Sequence, residues 1–104
     1  MSSEIILPIK NASETITTTF DFLSQLSSGE TVSSAVATSV TWSGTDTNPS
    51  AVVGTVSVLG ESQVLVKLTG GVEGNIYLIT VKATTSQGDS LVMQAFLTIA
   101  STVF

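Results

Sequence analysis

Residues 74–99 constrain the fold of this chain more than any other stretch. Tyr77, Ile79, Val81 and Ala83 share one parity, and Leu91, Met93, Ala95, Leu97 and Ile99 do the same further on. Successive side chains of a β-strand point to opposite faces, so each set lines one face of a sheet. Between the sets, Ser86-Gln-Gly-Asp89 supplies the Gly and Asp of a tight connection. The run therefore reads as a closing β-hairpin with one apolar face.

The same period recurs upstream. Thr15 to Phe22 places Ile16, Thr18, Phe20 and Phe22 on one face, and Val64, Val66 and Leu68 alternate with Leu65, Lys67 and Thr69. In the segment from Thr31 to Ser43, Val32, Val36, Val40 and Trp42 share a parity with the small Ser34 and Thr38. Trp42 is therefore expected in the core. Val52 to Leu59 is expected to be a strand with Val52, Gly54, Val56 and Val58 on one side. Gly60-Glu-Ser-Gln63 reads as a hairpin turn and Gly44 to Ser50 as a polar loop. The three glycines of Gly70-Gly-Val-Glu-Gly74 suit positive φ or close packing. Leu23 to Gly29 is expected to form one helical turn closed by Gly29. Glu4 to Ile9 is apolar on both parities and interrupted by Pro8, which points to an edge strand.

About seven strands at spacings of roughly 8–12 residues favour a sandwich or barrel. An inward Tyr opening the closing hairpin suits the tyrosine corner of immunoglobulin-like sandwiches, with its hydroxyl bonded to nearby backbone. The expected fold is all-β, an immunoglobulin-like antiparallel β-sandwich of about seven strands. It is read as one domain over residues 1–104, with residues 1–9 a candidate N-terminal arm. Composition agrees. Ser and Thr supply about thirty of 104 residues, and charged residues are only 11%, about half the usual share.

The same composition excludes most chemistry. The chain has no His and no Cys, which removes the commonest general base, the commonest metal ligand and any thiolate nucleophile or disulfide. Ser is abundant, but no Gly-x-Ser-x-Gly elbow is present. The acids Glu4, Glu14, Asp21, Glu30, Asp46, Glu61, Glu73 and Asp89 are scattered singly, unlike a glycosidase pair or a calcium loop. Asp46 and Asn48 read as turn residues. Gly70 to Gly74 lacks the Lys-Ser/Thr of a phosphate loop. No catalytic residue, cofactor site or metal site is expected. A net charge of −5 with three dispersed Lys gives no attraction for nucleic acid or anionic membranes. No apolar stretch approaches the ~20 residues of a membrane helix. The start Met-Ser-Ser-Glu lacks a basic n-region, so it reads as no signal peptide, and a protein kept in the cytoplasm or freed by lysis is expected.

The ends carry the candidate interface: Ile5, Ile6, Leu7 and Ile9 at one, Val103 and Phe104 at the other. The N-terminal run is either a strand within the domain or an arm that adds to a neighbouring subunit.

Several segments resemble one family. They are Lys10-Asn-Ala-Ser-Glu14, Phe20-Asp-Phe22 with Leu26, Gly29-Glu-Thr-Val-Ser-Ser-Ala35, and Ser43-Gly-Thr-Asp46 with Pro49-Ser50. Gly70-Gly-Val-Glu-Gly-Asn-Ile-Tyr77, Ile79-Thr-Val-Lys-Ala-Thr-Thr-Ser-Gln-Gly88 and Leu91 complete the set. In this order, from about Lys10 to Ile99, the chain resembles the small immunoglobulin-like structural proteins of tailed bacteriophages of the fiber-tail adaptor type. Ala12 stands where that pattern often has Pro. The resemblance implies a non-enzymatic virion protein, assembled in the host cytoplasm and present in several copies. Its partners would be other virion proteins, namely tail, neck or fiber subunits, with no nucleic acid and no membrane. The competing readings are a glycan- or host-surface-binding module and a capsid decoration protein.

Overall fold

The computed structural model describes residues 4–7 and 9–100. Its strands are β1 (Glu4–Ile6), β2 (Thr15–Asp21), β3 (Val32–Ser43), β4 (Val53–Leu59), β5 (Gln63–Thr69), β6 (Ile76–Thr85) and β7 (Ser90–Thr98). Six of them make two three-stranded antiparallel sheets, β7-β6-β3 and β2-β5-β4, and the three-residue β1 extends the first as a parallel edge. The order β1-β7-β6-β3 over β2-β5-β4 is that of an immunoglobulin-like sandwich. Within the single chain the N-terminal run pairs with β7: Ile5 lies opposite Ala95 and Ile6 opposite Phe96.

The hairpin expected at the end of the sequence is the centre of the core. Tyr77, Ile79, Val81 and Ala83 on β6, with Ala95 and Leu97 on β7 and Ile99 just after it, are wholly buried. They face Phe20, Val64, Val66 and Leu68 of the other sheet, where Phe20 sits opposite Val64 and Ile16 opposite Leu68. On β4 the register shifts between Val53 and Val56, so Val53, Val56 and Val58 turn to the core while Gly54 is exposed. Leu23–Gln25 forms a single 3-10 turn, and Gly29, at φ +80°, closes a separate turn rather than a helix.

β3 departs from its sequence pattern. Val32 lies opposite Thr85, but Ser34 lies opposite Thr84, so two steps on β3 match one on β6. This bulge adds one residue and reverses the side chains that follow, as far as the second register shift at Thr41/Ser43. Val32 stays buried, whereas Ala35, Ala37 and Ser39 turn inward and Val36, Val40 and Trp42 turn out. The expectation of a core Trp42 is thereby corrected: its side chain is 61% exposed.

A polar corner closes one end of the sandwich. The Tyr77 hydroxyl accepts from the Val72 N–H at 2.8 Å and donates to Asp46 Oδ2 at 2.6 Å. The expected bond to backbone is thus present, and a carboxylate joins it. Asn75 Oδ1 accepts from the Thr45 N–H at 2.6 Å, and its Nδ2 donates to the Val72 carbonyl at 3.1 Å. These bonds tie the 44–50 loop to β6. Gly71 (φ +97°) lets the backbone pass close to the core, since a Cβ there would come within 2.7 Å of Ile99 Cγ1. Beside it Lys10, 1% exposed, donates from Nζ to the carbonyls of Gly70 and Asn11. Burial pulls its pKa down. At the opposite end Glu30 is buried and accepts from the Ser27 N–H and the Thr85 hydroxyl, which hold its carboxyl below the ordinary range. The Glu30 carboxylate in turn pushes that of Asp89 up.

Three outcomes follow from this packing. Tyr77→Phe strands the Val72 N–H and removes one of the two donors to the Asp46 carboxylate, and should lower stability by about 1–3 kcal/mol in urea unfolding. The Asp46 carboxyl is held down first by the Tyr77 hydroxyl and then by the Asn48 N–H. A carboxylate depressed in the folded state contributes stability that is complete above its unfolded value, about 3.9, and is lost as pH falls through the lower folded value. Asp46→Asn should therefore flatten the fall of the urea midpoint below about pH 4, and an unchanged acid limb would contradict this. Trp42, as an outward residue, should emit as a solvent-exposed indole and be readily quenched by acrylamide. A blue-shifted, protected emission would contradict the β3 bulge.

Candidate interaction surface

The reversal on β3 gives the four-stranded sheet a second apolar face. Register aligns Ile6 of β1 with Phe96 of β7, Phe96 with Leu78 of β6, and Leu78 with Val40 of β3. One rung of the outer face is thus apolar across every strand. Ile6 is 84% and Val40 51% exposed, with Phe96 and Leu78 half-buried between them. Trp42 is the extra residue of a second register shift, between Thr41 and Ser43. Its ring meets that of Phe96 edge-on, with centroids 5.1 Å apart and planes at 68°, a favourable aromatic geometry. Ile76 and Thr98 complete a shallow depression of about 260 Å³ with Ile6, Trp42 and Phe96.

The neighbouring rung is polar. Gln94, Thr80 and Thr38 lie side by side, and Gln94 Nε2 donates to Thr80 Oγ1 at 3.2 Å. An apolar patch bounded by polar residues is the form that protein contact sites take. The polar corner positions it. Asp46 and Asn75 fix the loop that follows β3, and the Thr41 hydroxyl donates to the Asp46 carbonyl at 2.9 Å. Trp42 is therefore held next to a pinned segment.

The candidate interface of the sequence is only partly gathered here. Ile6 joins the patch. Ile5 has its backbone in β1, opposite Ala95. Leu7, 9% exposed, packs into the core, so its side chain is directed away from this face. Ile9 is exposed just beyond β1. Val103 and Phe104 lie outside the described residues. Val40, Trp42, Ile76, Leu78 and Phe96 were not among the expected contacts. The available signal was the second parity of the closing hairpin, where Ile76, Leu78 and Phe96 are apolar as well as the inward set. Among the described residues no group of three or more His, Cys, Asp or Glu is placed to hold a metal. Asp46 acts in the corner as a hydrogen-bond acceptor, as its turn reading implies.

A search of curated proteins and a search of solved structures each gave no match. A family model described as podophage GP4 fiber-tail adaptor protein gp77 matches residues 10–98. That span runs from the buried Lys10 through the last residue of β7, and so takes in the corner and every strand but β1. The chain belongs to the podophage GP4 fiber-tail adaptor protein gp77 family.

Proposed function

We propose that this phage structural adaptor works by protein–protein contact alone, joining tail or neck to fibers through the outer face of its four-stranded sheet. The observation that carries the reading is the apolar rung Ile6–Phe96–Leu78–Val40 with Trp42 beside it. Half-exposed aliphatic and aromatic groups lose unfavourable water contact when a neighbour covers them, and aromatic anchors commonly dominate such contacts. A non-catalytic role fits a chain with neither His nor Cys and with acids spread singly. An acidic net charge suits contact with protein rather than with nucleic acid or anionic membrane. Several copies per particle, assembled in the host cytoplasm, complete this reading.

The exposed Trp42 also favours a second reading, a carbohydrate-stacking face. Its neighbours in the depression are Ile6, Ile76, Phe96 and a single hydroxyl, that of Thr98, against the several directed hydrogen bonds that fix a sugar's hydroxyls. A glycan array with the purified chain separates the two, since contact by protein alone requires a blank array.

The double variant Ile6→Asp/Trp42→Asp changes two exposed side chains and should leave the β-sheet circular dichroism intact. It should be lost from assembled particles. Leu59→Asp, at an exposed position where β4 ends in the other sheet, should be incorporated normally. Normal incorporation of the double variant would overturn the assignment of this face.

A further inference from the structure

β3 and β4 end their respective sheets and face one another without pairing. Along Ala35–Ser39 the β3 backbone bonds to β6 alone among the described residues. Between the two edges runs a groove of about 550 Å³, lined by Ala35, Ala37, Ser39, Ser50, Val53 and Gly54 among others. These side chains are small, so the groove stays open. Ser39 is 5% exposed, and its Oγ, buried against this groove, has no hydrogen-bond partner. A buried hydroxyl without a partner is unfavourable and uncommon in folded proteins.

The β3 edge also lacks the usual protection, the one bulge along the groove lying opposite it on β4, between Val53 and Val56. Exposed edge strands are normally blunted by Lys, Pro, bulges or inward charges, because their free N–H and C=O groups are a template for another chain. Neither β3 nor β4 contains a charged residue or a Pro. The bulges of β3 sit at its ends, leaving Ser34 to Thr41 in regular register.

We propose that this groove accepts an extended, uncharged segment of a partner protein by strand addition. Main-chain bonds would run to the free edge of β3, and a polar atom of the segment would satisfy Ser39 Oγ. No lining residue is ionisable, so a charged side chain entering here would lose water without gaining a counter-charge. The small residues on the floor leave space for larger, β-branched side chains at every second position of the segment. The occupant is an extended segment of a different protein: every described strand of this chain is already paired within its own sheet, so a second copy could offer only the edge of a folded sheet, not a separate segment to lie between β3 and β4. The inference does not depend on the outer-face patch, and its test needs no particle.

The probe is a capped hexapeptide, Ser-Val-Thr-Val-Ser-Val, titrated into the whole chain and followed by amide chemical shifts and hydrogen exchange. Shifts should concentrate at residues 34–40 and 50–56, with slowed exchange of the outward amides of β3. Val36→Lys places an edge charge at an exposed position and should weaken binding about tenfold or more. Val92→Lys, exposed on central strand β7, should leave binding unchanged. Ser39→Ala should raise the stability of the free chain and weaken the peptide. No shifts at millimolar peptide, shifts confined to the β1 edge, or full binding by Val36→Lys would overturn the proposal. So would self-association of the chain through these same amides.

Discussion

Everything in this fold leans on β6. In the four-stranded sheet it has antiparallel partners on both sides, β3 and β7, and its inward residues from Tyr77 to Thr85 are buried at every second position. With no cysteine in the chain, no disulfide cross-links the two sheets. The burial of that row against Phe20, Val64, Val66 and Leu68 must hold them together. Tyr77 links this apolar row to the polar corner, since its ring is in the core and its hydroxyl spans Val72 and Asp46. The loop after β3 is thereby fixed by the same residue that anchors the core.

The bulges of β3 then decide what the outside looks like. A strand with a fixed period of two can serve only one buried face. By adding a residue after Val32, β3 buries Val32 and later presents Val36, Val40 and Trp42 to solvent. Its inward positions become Ala35, Ala37 and Ser39, which are too small to fill the space toward β4. One irregularity thus produces both an apolar outer face and an open groove at the sheet edge. Sheet faces and free edges are the two surfaces through which β-sandwiches join other chains, in keeping with a family of phage adaptors.

Much of the architecture was legible without coordinates. The alternation in β2, β5, β6 and β7 identified the buried faces, and the turn residues at Gly60 and Gly88 marked the hairpins. The proposed contact face was much less so. Ile6 stood out because it belongs to a run that is apolar on both parities. Trp42 did not, because its parity with Val32 is a true statement about the sequence that ceases to hold across a bulge. Nor does anything in Lys10-Asn11 announce a lysine buried on two carbonyls, since a charged residue is normally read as solvent-facing.

The amino-acid order alone set the two-layer β architecture, the inward tyrosine and the scarcity of catalytic groups, because these depend on residue type and on a local period of two. Which side of β3 faces water, which edges stay open and which loop closes over Tyr77 were decided only in three dimensions. A bulge forms where it lets two sheets pack best, and that choice depends on partners distant in the chain, such as Thr85 for Val32 and Asn75 for Thr45.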